Sequence, residues 1–493
     1  MLFSRHTLFR YGTSMVGSGF GHGIALFAQI VFARLLGVED YGLLTLAFSF
    51  ILLPSNLADL GVTASTPRFI ALSIGEGDHA KARRVVWTTG LFQGATSVVL
   101  TLALIFWAPL VARWMDMPKL DRLVLWLAVF VPGVFLFRWT TSVLKGLGYN
   151  MLQVFLDSFV LQLFTLVVGL GGWLVMRSTL GVTLGYGGAY LLTGIVGAVG
   201  VWRALLVFPN PRVKSDLPFM AIVKHGIPMN ITALVQTIFR RTDIIIVGAM
   251  LDAGSVGVYR VASSIAGSLK RLLTPINDFA VYKMSRYVGM KKSEYALNHY
   301  KDIIIFSLTL ALPMYIVLFL FGEEIVVLLY KIEYVEAAPL LRVLVIGFAA
   351  FIGVGPMGEL FNSVGKNWIR MIFIMCMSVV NLVLNIVLIR AYGVIGCTYS
   401  TTLSFLAIFV VFQLYMKRQF FEMKIDAAPF AQLLLFGLLL AGGFAVSGGS
   451  WLVRIPVALA ACGLSFGAGV LLLWRSRRAR VQEGAGADSP GAP

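Results

Sequence analysis

Charge is scarce in this chain. Of 493 residues only 13% are Asp, Glu, Lys or Arg, and the acids number 23. Water-soluble domains carry about a quarter charged residues, so a soluble globular protein of this length is excluded. Cysteine is scarce as well. The three residues, Cys376, Cys397 and Cys462, all fall inside apolar stretches, which leaves no disulfide framework and no CxxC metal pair. No GxxxxGK[ST] loop and no HExxH motif occurs, so this chain binds no ATP through a P-loop and carries no zinc-hydrolase helix. The longest loops are about 20 residues, too short to fold as domains of their own.

What the chain has in abundance is apolar length: 58% of its residues are hydrophobic and its mean hydropathy is +0.86. Runs of about 20 such residues read as membrane-spanning helices, because backbone polar groups in hydrocarbon must be bonded within their own segment. About fourteen are expected, near 11–33, 43–66, 86–111, 123–143, 152–176, 184–207, 227–250, 255–277, 303–330, 338–361, 369–389, 395–416, 429–447 and 452–474. A transmembrane barrel would need short alternating segments, and LVLWLAVFVPGVFLF from Leu123 does not alternate. The first run lacks a small-residue cleavage site and reads as a retained helix.

Basic residues sort by loop. One set of loops and ends holds 26 of the 40 Lys and Arg, from Arg5 and Arg10 through Lys81, Arg83 and Arg84 to Arg475, Arg477, Arg478 and Arg480. The opposite set holds eight, among them Arg34, Lys119, Arg177 and Arg454. The positive-inside rule then places both termini in the cytoplasm, in a multi-pass protein of the cytoplasmic (inner) membrane. The net charge of +17 is accounted for by this bias and by contact with anionic membrane lipids, and calls for no nucleic acid.

A weak internal repeat organises the rest. ARLLGVEDYGLLTLA, from Ala33 to Ala47, reappears as GAMLDAGSVGVYRVA, from Gly248 to Ala262, so that Leu36, Gly42 and Ala47 fall on Leu251, Gly257 and Ala262 at an offset of 215. Gly148 and Asn150 fall on Gly365 and Asn367 at an offset of 217. Such an offset covers six spans, an even number, so the two copies are like-oriented. The expected architecture is an all-α polytopic membrane protein with two like-oriented six-helix lobes around a central cavity and two extra C-terminal helices. The lobes are residues 1–207 and 225–416, joined by a cytoplasmic linker at 208–224 that carries Pro209, Pro211 and Pro218. Helices 13 and 14 occupy 417–474, and 475–493 is a disordered basic tail.

Charges inside spans are costly, by about 3 kcal/mol on insertion scales, and usually face a bundle interior or a wet cavity. They concentrate in the first hairpin of the second lobe: Arg240, Arg241, Arg260, Lys270 and Arg271 against Asp243 and Asp278. One reading is a cationic cavity for an anionic substrate, guanidinium being well matched to phosphate. The other is an internal pair of Arg240 with Asp243, three apart on one helix face, and Arg260 snorkelling to an interface. Lys270 and Arg271 mark either the cavity's inner mouth or contacts with head groups. Asp59, in DLGVTAS, either takes up a proton or pairs locally. Asn381 and Asn385, at i and i+4, with Thr401 and Asp243, would offer oxygen ligands to Na⁺, or else bond between helices. Asp157 and Glu359 are lone acids, and His22 reads as a packing histidine.

The runs IVFARLLGVEDYGLLTLAFSFILLPSNLADLGVTASTPRFIA, RTDIIIVGAMLDAGSVGVYRVA and NLVLNIVLIRAYGVIGCTYSTT resemble the polysaccharide branch of the multidrug/oligosaccharidyl-lipid/polysaccharide exporter superfamily, and in particular its O-antigen type flippases. The resemblance implies alternating access that moves an undecaprenyl-pyrophosphate-linked oligosaccharide from the inner to the outer leaflet, for O-antigen, capsule or exopolysaccharide biosynthesis. It implies no catalytic residue and no cofactor, with H⁺ or Na⁺ as coupling ion and no other metal. The substrate cavity falls on Arg240, Arg241 and Arg260, with Arg34, Lys270 and Arg271 beside them. A cation site of the related lipid II flippases falls on Asp243, Asn381, Asn385 and Thr401, with Asn385 standing where a carboxylate is expected. A monomer is expected, with other polysaccharide-assembly proteins as candidate partners. Two alternatives stand: a cation-coupled drug antiporter of the same superfamily, which would prefer an acidic cavity, and an integral-membrane glycosyltransferase or polymerase using Glu39 and Asp40.

Overall fold

A computed structural model of the chain describes residues 5–206, 219–273, 284, 287, 288, 290, 293–355, 360, 361, 367–419, 427–446 and 450–487. Among these, helix is the regular structure throughout, as the unbroken apolar runs require. By contacts the chain divides into two compact units, Met1–Arg260 and Val261–Pro493.

The first unit begins with α1 (Arg5–Leu36), α2 (Val38–Ala58), α3 (Val62–Gly75) and α4 (His79–Trp114). It continues with α5 (Pro118–Val129), α6 (Val131–Gly146), α7 (Asn150–Met176), α8 (Thr179–Leu206) and α9 (Phe219–Met250). It closes with the start of α10 (Ala253–Leu272). Each boundary has a local cause. Asp78 caps α4 by accepting from the Lys81 backbone N–H at 2.8 Å. Between α5 and α6 the expected span 123–143 bends by 44°, where Pro132 removes a backbone donor. A π turn at Leu156–Val160 interrupts α7.

The DLG sequence breaks the expected span 43–66 into α2 and α3. Leu60 and Gly61 both take positive φ, 49° and 77°, conformations that favour glycine. A Cβ on Gly61 would lie 2.0 Å from the Gly226 carbonyl oxygen of α9. A second close approach joins α2 to α10. A Cβ on Gly42 would meet the Ala253 carbonyl oxygen at 1.8 Å, and one on Gly257 would meet the Val38 carbonyl oxygen at 2.2 Å. These four residues are equivalent in pairs under the 215-residue offset.

The second unit holds the rest of α10, then α11 (Ser293–Leu320), α12 (Gly322–Tyr330), α13 (Ala337–Val354), α14 (Asn367–Tyr392), α15 (Val394–Gln419), α16 (Ala427–Val446) and α17 (Trp451–Ala487). Helix α13 packs on α15, α15 on α14, and α16 and α17 both pack on α11. Arg454 at the start of α17 fastens this last contact. It donates to Glu324 Oε1 at 2.5 Å and to the Leu320 carbonyl.

Ten described helices are long and apolar enough to cross a membrane, eleven if the bent α5–α6 pair is one span. The expected fourteen are not reached by that measure. Expected spans 1, 7 and 8 fall on α1, α9 and α10, which are 32, 32 and 20 residues long. Within α1, Phe20–Leu36 is an apolar helical stretch, and α9 and α10 carry the arginines. Outward faces are apolar: Phe106, Val175 and Leu452 are 80%, 84% and 86% exposed, as lipid contact demands.

Two further expectations differ. The contact boundary falls inside α10 and not in the linker, because α9 packs on α2 and α3; residues 208–218 of that linker lie outside the described residues. Helix α17 runs to Ala487, over much of the stretch 475–493 expected as a disordered tail. Arg, Ala, Gln and Glu are good helix formers, so an apolar helix ending there can propagate.

Candidate anion site

The first unit contains a cavity of about 190 Å³. Two arginines line it: Arg241 from α9 and Arg260 from α10. Facing them are Gln29 of α1, Thr45 and Phe48 of α2, Gln162 of α7, and Tyr186 and Tyr190 of α8. Among the described residues no carboxylate lines it. Tyr186 and Tyr190 are four apart, so they stack on one face of α8. Tyr186 is held by Phe48 and Phe32, with ring centroids 4.8 Å and 5.3 Å away. Arg241 Nη1 reaches Ser49 Oγ at 3.5 Å, and Arg260 lies within electrostatic range of both Arg241 and Tyr186.

Sequence numbering explains why two arginines converge while a third departs. Arg240 and Arg241 point about 100° apart on a helix. Arg241 enters the cavity, whereas Arg240 is exposed and donates its Nε–H to the Gln236 carbonyl at 3.3 Å. Thr45 and Arg260 are equivalent under the repeat, and both line this one cavity.

The other candidate residues lie elsewhere. Asp243 is buried and accepts a hydrogen bond from the Tyr259 hydroxyl at 2.6 Å. Arg34 is exposed at the end of α1. In the second unit, Lys270 Nζ sits 3.8 Å from the centre of the Phe351 ring, and Arg271 donates to the Ser264 carbonyl at 3.2 Å. Asn385 donates to Asn381 Oδ1 at 3.1 Å, Asn381 donates to Ser400 Oγ at 3.3 Å, and Thr401 donates to the Cys397 carbonyl. Of these bonds, that between Asn381 and Ser400 ties α14 to α15. Asp59 is buried at the α2–α3 break and accepts from Gln93 Nε2 at 2.5 Å, from the Thr63 backbone N–H at 3.3 Å and from the Thr63 hydroxyl. Asp278 and Glu359 lie outside the described residues.

Sequence reading missed the neutral wall of the cavity. Tyr186 and Tyr190 at i and i+4 in a glycine-rich span were the available signal, two polar-tipped rings where lipid-facing aliphatics would suffice. It also passed over Arg138, although that residue falls inside the expected span 123–143. Helix α6 continues to Gly146, so Arg138 lies about 12 Å inside the helix end. Its Nη1 donates to Asn56 Oδ1 at 3.0 Å.

Comparison with known proteins agrees with this architecture. The family described as "Polysaccharide biosynthesis protein" matches residues 11–282, more than half of the chain. A second, described as MatE, matches residues 228–387. The lipopolysaccharide biosynthesis protein WzxC of Escherichia coli (strain K12) is 24% identical over 348 residues. That match covers 69% of this chain and 66% of WzxC, just under two thirds of its length. Among solved structures, the inward closed conformation of the lipid II flippase MurJ superposes with a TM-score of 0.74 at 14% identity, covering 92% of this chain and 97% of that one. An inward-facing multidrug resistance MATE family transporter of the MOP superfamily superposes at 0.66 and 16% identity, covering 85% and 96%.

Proposed function

Because the chain belongs to the polysaccharide biosynthesis protein family, we propose that it is a flippase for an undecaprenyl-pyrophosphate-linked oligosaccharide, moved from the inner to the outer leaflet. It is a transporter and not an enzyme. The observation that carries this reading is the cavity in the first unit, with two guanidinium groups among the described residues on its wall. Guanidinium forks bond phosphate oxygens in pairs, and each charge-assisted bond contributes about 1.5–3 kcal/mol. Part of that offsets the cost of holding two like charges near each other in a poorly hydrated place. The neutral wall of Tyr186, Tyr190, Gln29 and Gln162 suits sugar hydroxyls and ring faces, since amides and phenols offer donors and acceptors without charge. Alternating access then carries the bound head group across, with both termini on the cytoplasmic side of the inner membrane.

The drug antiporter reading shares the fold of the MATE structures. A cationic drug would meet the guanidinium groups of Arg241 and Arg260 on the cavity wall, which opposes its binding.

The test is genetic and biochemical. In a deletion strain, wild-type protein restores surface polysaccharide, while Arg241→Ala combined with Arg260→Ala at native expression leaves lipid-linked oligosaccharide accumulating in the inner leaflet. Full complementation by the double variant would remove the cationic cavity from the mechanism. A deletion that blocks sugar addition, with translocation intact, would replace transport by enzymology.

A further inference from the structure

We propose that Arg138 is a second anion contact beside this cavity, and that Asn56 holds it in readiness until a diphosphate takes its place. The proposal rests on the cationic-cavity reading and extends it to a residue on a different helix. Arg138 stands well inside α6, where a cation is costly unless it has a task or a strong partner. Among the described residues it forms no ion pair. Its described direct bond is to a neutral amide oxygen, Asn56 Oδ1, at 3.0 Å. Asp59 is within electrostatic range, yet Oδ1 of that carboxylate already accepts from Thr63 and Gln93.

Tyr190 connects Arg138 to the cavity. It lines the cavity wall and lies within electrostatic range of both Arg138 and Arg241. Two guanidinium groups within range of one phenol offer two anion positions. A diphosphate has two phosphoryl groups to offer them; a monophosphate has one.

Asn56 makes the arrangement responsive. Its Nδ2 donates to the Leu52 carbonyl at 3.0 Å and to Thr237 Oγ1 of α9 at 3.1 Å. One side chain therefore ties Arg138 of α6 to Thr237 of α9. A phosphate oxygen is a stronger acceptor than an amide oxygen, so a diphosphate that engages Arg138 displaces Asn56. The tie from α6 to α9, the helix that carries Arg241, is then broken. Occupancy of the site is thereby reported to a helix of the second repeat copy.

The test uses purified full-length protein in detergent, with farnesyl diphosphate and farnesyl monophosphate as probes in calorimetric titration. Arg138→Gln and Arg241→Gln each weaken diphosphate binding by about tenfold or more. Monophosphate binding responds to Arg241→Gln and not to Arg138→Gln. Asn56→Ala strengthens diphosphate binding, because the competing acceptor is gone. Should Arg241→Gln weaken the diphosphate while Arg138→Gln leaves it unchanged, Arg138 is no anion contact and the cavity reading survives. If wild type binds no diphosphate, the cavity reading falls with it. A measurement on wild type covers the case in which Arg138→Gln fails to fold: farnesyl diphosphate should protect Arg138 from phenylglyoxal, and modification at an unchanged rate overturns the proposal.

Discussion

Arg454, outside the cavity, behaves as structure. It bonds Glu324 and the Leu320 carbonyl and lies 4.9 Å from the centre of the Phe321 ring. Burial opposes the Glu324 charge, but the hydrogen bond from Arg454, a backbone hydrogen bond and the attraction of Arg454 and Arg342 together outweigh it and hold the carboxyl below its ordinary value. A group whose folded value lies below its unfolded one stabilises the fold above the ordinary carboxylate range and loses that contribution as pH falls through the lowered value. Thermal unfolding in detergent should therefore show a midpoint that drops below about pH 4. Arg454→Met should flatten that dependence and cost about 3 kcal/mol at neutral pH, since a partly buried carboxylate loses its partner. A pH profile unchanged by the substitution would assign the acid sensitivity to other groups.

At the scale of elements, the α2–α3 break and the α2–α10 crossing carry testable strain and closeness. Leu60 holds a left-handed conformation that costs a residue with a Cβ about 1 kcal/mol. Leu60→Gly should recover a comparable amount, read as a higher unfolding midpoint, while any loss would show that the Leu60 side chain matters more than its backbone. Gly42→Ala should do the opposite: a methyl 1.8 Å from the Ala253 carbonyl oxygen forces α2 and α10 apart, at about 1–3 kcal/mol. Sequence anticipated helices by their apolar length, and anticipated an intramembrane arginine cluster by its cost. It could not say which arginines converge. Arg240 and Arg241 are neighbours in sequence with the same side chain, and only the rotation of α9 against α1, α2, α7 and α8 separates them. The break at DLG escaped for a related reason, because the run stays apolar across it. Tyr186 and Tyr190 escaped because their i, i+4 spacing shows that they share a helix face but not what that face meets.

Across the whole molecule, charge asymmetry is the strongest global signal. The expected topology puts 26 Lys and Arg on one side against eight on the other, although Arg138, one of the 26, lies inside α6. A fluorescent protein that matures only in the cytoplasm, fused after Pro493, should be bright, and a periplasmic phosphatase fused there should be inactive. The reverse pair of results would invert the proposed orientation. The internal repeat was legible only as three identities in fifteen residues, yet it identified positions that meet in space. Val38 and Gly42 touch Gly257 and Ala253 reciprocally, residue i on j and j on i, as the two faces of an isologous dimer do. The two parts of this surface differ in what holds them to symmetry. Thr45 and Arg260, one neutral and one charged, line an open cavity, while Gly42 and Gly257 are each confined by the other copy's backbone. The repeat is symmetric where the helices touch and asymmetric where the cavity opens.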